Sequence, residues 1–137
     1  DGSFKGKQAI SRAEFATIIA RFEDLTLDKP NPFTDVSDSH WAKDSIVSVA
    51  NKGWVSGYPD GSFQPEKKIT RSEVVSIVNR ILERNGDKEY IQGQQQQLMA
   101  FTDVHGALWA YYDICEATNG HTYKKNDGSP EIWISVE

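Results

Sequence analysis

Apolar residues recur at helical spacing in two stretches, Phe15, Ile18, Ile19 and Phe22 in the first and Val74, Ile77, Val78, Ile81 and Leu82 in the second. Each spacing predicts a helix that buries one face. The two helices share a start signal. Ser11 with Glu14, and Thr70 with Glu73, occupy the N-cap and N3 places of a capping box, in which a hydroxyl and a carboxylate satisfy backbone N–H groups reciprocally. Ile10 with Phe15, and Ile69 with Val74, hold the flanking places of a hydrophobic staple. A third helix is predicted to open near Ser39, with Trp41, Ala42, Ile46, Val49 and Ala50 on its apolar side and Gly53 just past its end. The stretch "GYPDGSFQPEKK" at 57–68 then carries proline and glycine where tight turns need them, with Phe63 as an apolar anchor. Near the end, Asn-Asp-Gly and the alternation of Ile132, Ile134 and Val136 with Trp133 and Ser135 predict a β-hairpin. The glutamine-rich stretch 86–100 reads as a polar, solvated connection or a helix extension.

The pattern repeats. "DGSFKGKQAISRAEF" at 1–15 aligns without gaps on "DGSFQPEKKITRSEV" at 60–74, and "FTDVSDSHWAKDSI" at 33–46 aligns on "FTDVHGALWAYYDI" at 101–114. The chain therefore divides into the second half of a motif at 1–22, a complete helix–loop–helix motif at 33–84, and a divergent or truncated motif at 101–137 that ends in the hairpin. The expected fold class is mostly α, built from repeated helix–loop–helix units with short β pieces. Because "DGSF" at the start falls in mid-motif, the sequence is expected to be a piece of a longer array.

Composition narrows the function. A chain of 137 residues with 38% hydrophobic residues and four tryptophans supports a modest core. Its net charge of −5 argues against general affinity for nucleic acid, so an anionic ligand has to be met by local cationic pockets. No apolar run is long enough for membrane insertion. The single cysteine, Cys115, excludes an internal disulfide and a cysteine-based zinc site, and its flanks suggest a buried helical thiol. His40, His105 and His121 show no recognised metal spacing, no glycine-rich phosphate loop precedes a helix, and no nucleophile has a base partner in sequence. Neither catalysis nor a metal or other cofactor is expected. "YPDGSF" also lacks the alternating acidic ligands and terminal glutamate of an EF-hand.

The candidate chemistry lies in two arginines. Arg12 and Arg71 each stand at the first position of a predicted helix, where the dipole disfavours a cation. One reading pairs them with the capping-box glutamate or another acid. The other makes each an anion receptor, since a helix N-terminus offers free N–H donors and a guanidinium adds a bidentate fork for carboxylate or phosphate.

The residues F-T-D-V, H-W-A, G-W-V-S-G-Y-P-D-G-S-F-Q-P and I-T-R-S-E, in this order over 33–73, resemble the S-layer homology motif of bacterial cell-surface proteins. The resemblance implies a domain of three motifs with pseudo-threefold symmetry. Such domains hold extracellular proteins on the Gram-positive cell wall or S-layer surface by binding secondary cell-wall polysaccharide, often pyruvylated. It also implies that Arg71 in "TRSE" and Arg12 in "SRAE" bind ligand in grooves between successive repeats. A pyruvate ketal is a compact carboxylate suited to such an arginine, and Trp41, Trp54, Tyr58 and Asp60 are the accompanying candidates for sugar contact. Each has a plainer alternative: Trp41 and Trp109 as core residues, Tyr58 as a packing residue, and Asp60 with Gly61 as turn formers. Asp35 and Asp103 are expected to brace turns. The third motif departs from the pattern, giving "HTYKKNDGSPEIWISVE" where the tyrosine–proline turn and the arginine helix should follow. Two functions stand against each other, a glycan-binding wall anchor and a structural or protein-interaction array whose repeats only pack. Half-repeats at both ends also leave apolar faces that a second copy of the chain could cover, so self-association stays open.

Overall fold

Five α-helices and one two-stranded antiparallel sheet make up the regular structure of the described residues, 8–22 and 30–137, in the computed structural model. They fall into two compact units, Asp1–Thr70 and Arg71–Glu137.

The first unit contains α1 (Arg12–Ala20) and α2 (Lys43–Asn51), which pack on each other. The capping box at α1 forms as the sequence predicts: Glu14 N donates to Ser11 Oγ at 3.1 Å, and Ser11 N donates to Glu14 Oε2 at 2.6 Å. The buried face differs from the predicted one. Arg12, Ala13, Ala16 and Ile19 are buried, whereas Ile18 and Phe22 are exposed. The two alanines let α1 lie close to its neighbour, and the stripe they define runs beside the bulkier apolar residues that set the sequence pattern.

Helix α2 starts later than expected. Residues 37–43 form turns in which His40 N donates to Ser37 O, Lys43 N donates to His40 O, and Ala42 N donates to His40 Nδ1. Trp41 lies in this turn, ahead of the helix, and is 63% exposed. Its expected core role is corrected accordingly. The helix ends as predicted at Gly53, whose φ of 72° lets its N–H reach Ala50 O and the Trp54 N–H reach Val49 O. The chain then runs into a turn where Gly61 N donates to Tyr58 O at 2.9 Å and Tyr58 N to Ser62 O at 2.8 Å. Asp35 braces it, its two carboxylate oxygens accepting from Phe63 N and Gln64 N. Phe63 is fully buried, its ring 5.1 Å from that of Phe33. At Gly57, a Cβ would sit 2.5 Å from a Phe33 ring carbon and 2.8 Å from Ser62 O, so only glycine fits there.

The second unit holds α3 (Arg71–Ile81), α4 (Lys88–Gly93), a single 3-10 turn at Gln95–Gln97, α5 (Tyr111–Thr118), β1 (His121–Lys124) and β2 (Ile132–Val136). Helices α3 and α5 pack through polar groups: Ser76 Oγ donates to the Asp113 carboxylate and Asn79 Nδ2 to the Asp113 carbonyl. Here too the predicted face is corrected, since Ile77 is buried but Val78 and Leu82 are exposed. The stretch 86–100 is not a solvated connection. Asp87 caps α4 by accepting from Tyr90 N and also accepts from Trp133 N, while Ile91 is fully buried beside Cys115 and Trp133. Burial pushes the Cys115 thiol and the Tyr111 hydroxyl to higher pKa values. Trp109 precedes α5 as Trp41 precedes α2, and is likewise exposed rather than part of the core. The predicted hairpin is present, with His121 opposite Val136, Lys124 opposite Ile132 and a bulge between Thr122 and Tyr123.

Helix α3 closes with Glu83 at φ 53°, its N–H on Arg80 O and the Arg84 N–H on Asn79 O. A left-handed glutamate is strained by about 1–2 kcal/mol, while its 3.9 Å ion pair with Lys125 is largely exposed and worth a few tenths at most. Strain outweighs the ion pair, so Glu83→Gly is expected to raise the melting temperature by several degrees. Gly57→Ala is expected to lower stability by about 1–3 kcal/mol in urea unfolding, because Phe33 and the Ser62 carbonyl must both move.

Candidate ligand-binding site

The two arginine-bearing helix starts share a sequence and have opposite surroundings. At α1 every one of the first N–H groups has an acceptor. Arg12 N donates to Lys67 O at 2.9 Å, Ala13 N to Pro65 O at 3.0 Å, Glu14 N to Ser11 Oγ and Phe15 N to Ser11 O. The segment 65–69 lies along this end, with an antiparallel bridge between Ser11 and Lys68 and a bond from Ile69 N to Ile10 O. The Arg12 side chain is buried at 5% exposure. Its Nε donates to Phe63 O and one terminal nitrogen donates to Ser56 O, both at 2.9 Å. The guanidinium also lies 4.9 Å from the Tyr58 ring centre and 4.8 Å from that of Phe63. Arg12 thus holds the 56–63 turn to α1 through the Ser56 and Phe63 carbonyls and the rings of Tyr58 and Phe63.

Arg71 opens α3 on the surface. Among the described residues, no acceptor takes the N–H of Arg71 or Ser72, and the Arg71 side chain forms no hydrogen bond or ion pair. The contrast has a sequence cause. The segment that closes α1 is "YPDGSFQPEKKI", whereas the chain from His121 onward, in the second unit, is the hairpin sequence "HTYKKNDGSPEIWISVE". Two backbone donors, the positive end of the helix dipole and a planar guanidinium stand together here.

The other predicted residues are dispersed. Trp54 is buried in the core of the first unit. Tyr58 is half-buried, with Arg12 and Lys67 over its ring and its hydroxyl accepting from Lys67 Nζ at 3.0 Å. Asp60 shapes its turn: bonds from the Ser62 hydroxyl and then from Ser62 N hold its carboxyl below the usual pKa range. Trp41 is exposed and stacked on His40 at 5.8 Å between ring centres. One aromatic that sequence reasoning placed in the core borders open space. Trp109 lines a cleft of about 700 Å³ in the second unit, together with Lys88, Tyr112, Asp113 and Ile132. Its position two residues ahead of a helix, matching Trp41, was the available signal. The structure also brings His121 between Glu116 and Glu131, a set that sequence spacing did not suggest. Burial is the largest influence on the Glu116 carboxyl and pushes its pKa up.

No helix among the described residues is long and apolar enough to cross a membrane. Residues 32–75 match the S-layer homology domain family. The chain is 38% identical over 134 residues to cell surface glycoprotein 1 of Acetivibrio thermocellus, an alignment covering 90% of this chain and 6% of that protein. It is 37% identical over 140 residues to the cellulosome-anchoring protein of the same organism, covering 98% of this chain and 30% of the relative. A match of 31% over 87 residues to the middle cell wall protein of Brevibacillus brevis covers 60% of this chain and 8% of that protein. The chain thus spans less than a third of the length of each of these relatives. Residues 32–75 are an S-layer homology segment, in a chain whose relatives are S-layer and cell-surface anchoring proteins.

Proposed function

We propose that this chain is a non-catalytic module, located outside the cell, that anchors its parent protein to the wall by binding an anionic secondary cell-wall polysaccharide, with Arg71 holding a carboxylate such as a pyruvate ketal. In this reading the segments 1–22, 33–84 and 101–137 are successive motifs of a pseudo-threefold array. The observation that carries it is the start of α3: an exposed arginine and two N–H donors for which no described residue supplies an acceptor. The family match and the surface-anchoring relatives support the cell-surface location. Exposed Trp41 and Trp109 offer faces for sugar rings, a role for which Trp54 is too deeply buried and Tyr58 already engaged. Arg12 enters as a brace of the 56–63 turn.

Arg71→Ala is expected to leave the melting temperature nearly unchanged, because the Arg71 side chain is exposed and makes no hydrogen bond or ion pair among the described residues. Loss of one charge-assisted hydrogen-bond donor should weaken binding of purified wall polysaccharide about ten- to a hundredfold in calorimetry. Arg71→Lys should recover only part, since an ammonium lacks the planar fork. Mild acid removal of the ketals should abolish the difference between these variants. Wild-type affinity in Arg71→Ala would sink the assignment and favour the alternative of an array that packs or binds proteins without glycan.

Arg12→Ala is expected to behave in the opposite way. It strands two carbonyls, at Ser56 and Phe63, and should lower stability by about 2–4 kcal/mol. Glycan affinity of the folded fraction should stay close to wild type. Chemical denaturation read alongside calorimetry on the same samples separates the two arginines.

A further inference from the structure

The second unit contains a buried set of ligand-type atoms that face one another with no hydrogen bond between them. Glu116 on α5, His121 at the start of β1 and Glu131 just ahead of β2 bring their donor atoms within 4.8 Å of one another. All three side chains are almost wholly buried. His121 Nδ1 lies 2.8 Å from the Asn119 carbonyl, which can only accept, so Nδ1 carries a proton and Nε2 is the ring nitrogen turned toward the two glutamates. Nε2 lies 3.5 Å from Glu116 Oε2 and 3.6 Å from Glu131 Oε2. Neither His121 Nε2 nor Glu131 Oε2 has a hydrogen-bond partner. Two carboxyl groups and an imidazole nitrogen converging in a dry site with unpartnered atoms favour a shared cation, and Arg84 pairs with only one of the two carboxyls, at Glu116 Oε1 at 2.7 Å.

We infer that Glu116, His121 and Glu131 bind one divalent first-row transition-metal ion, for which zinc is the best fit, and that this ion clamps the terminal hairpin to α5. A proton on Nε2 would draw a carboxylate to about 2.7–3.2 Å, the range of an N–H···O bond. The spacing found is longer. It is close to the separation of about 3.4 Å that an imidazole nitrogen and a carboxylate oxygen adopt when both lie about 2.1 Å from one tetrahedral zinc. One imidazole and two carboxylates favour zinc and its neighbours over magnesium or calcium, which prefer all-oxygen shells. The surrounding groups are those that orient metal ligands. The Asn119 carbonyl fixes the histidine tautomer, Trp133 Nε1 donates to Glu116 Oε2 at 3.1 Å, and the Trp133 ring stacks on His121 with centres 3.8 Å apart.

The test uses the 137-residue chain, stripped with chelator and titrated with zinc chloride. One zinc per chain by elemental analysis and calorimetry is expected, with a rise in melting temperature that chelator reverses. Cobalt should give the intense visible absorption of a tetrahedral site. Glu131→Gln, which preserves volume, should weaken zinc binding at least about a hundredfold while circular dichroism stays native, and His121→Gln should do the same. If the wild-type chain takes up no stoichiometric zinc and chelator leaves its melting temperature unchanged, the site is overturned and the cation is a proton on His121. Equal zinc affinity in wild type and Glu131→Gln overturns it as well, since the ion would then sit elsewhere.

Discussion

A helix starts with backbone N–H groups that no residue of the helix can accept, and much of this structure follows from how that demand is met. At α1 the segment 65–69 supplies carbonyls, and the arginine beside them turns inward to hold the 56–63 turn. Phe63, Trp54 and the α1–α2 contact are then fixed around it. At α3 no described segment lies along the first turn in this way, and the arginine is exposed. Arginine at the first position of a helix is thus a buried brace in α1 and a surface residue in α3.

Local chemistry was legible in the sequence wherever residues close in the chain decide the outcome. The Ser11–Glu14 box, the glycine end of α2, the Asp35 and Asp60 turns and the terminal hairpin all formed at their predicted places. The buried faces of α1 and α3 were misread for a common reason. Packing there selects Ala13, Ala16, Ser76 and Asn79, whose small size or hydrogen bonds outweigh the bulk of Ile18, Phe22, Val78 and Leu82. Trp41 and Trp109 were assigned to helix faces because apolar periodicity does not show that each helix opens two residues later. The environment of Arg12 depends on partners more than forty positions away, and the His121 set unites three separate elements. No spacing rule reaches such contacts.

The two units reach their order by different means. In the first, Ile46, Val49, Phe63 and the alanines of α1 fill an apolar interior. The second combines a small cluster of Ile91, Cys115 and Trp133 with Asp113, Asn119 and Glu116, which tie helices and hairpin together through hydrogen bonds and an ion pair. Buried polar groups of this kind penalise misregistered packing more than apolar ones do, since each unmatched donor or acceptor loses its water without replacement.

The S-layer homology segment at 32–75 runs across the junction at 70 and 71 that separates the compact units. The segment contains α2 and the opening of α3, whereas α2 packs on α1 and α3 packs on α5. The segment matched in sequence and the units of packing therefore do not coincide. Breakpoints at the edges of the segment would part α1 from α2 and cut through α3, whereas a crossover at the 70/71 junction would leave both helix pairs intact, so chimaeras with related chains should tolerate exchange at 70/71 better than at 32 or 75.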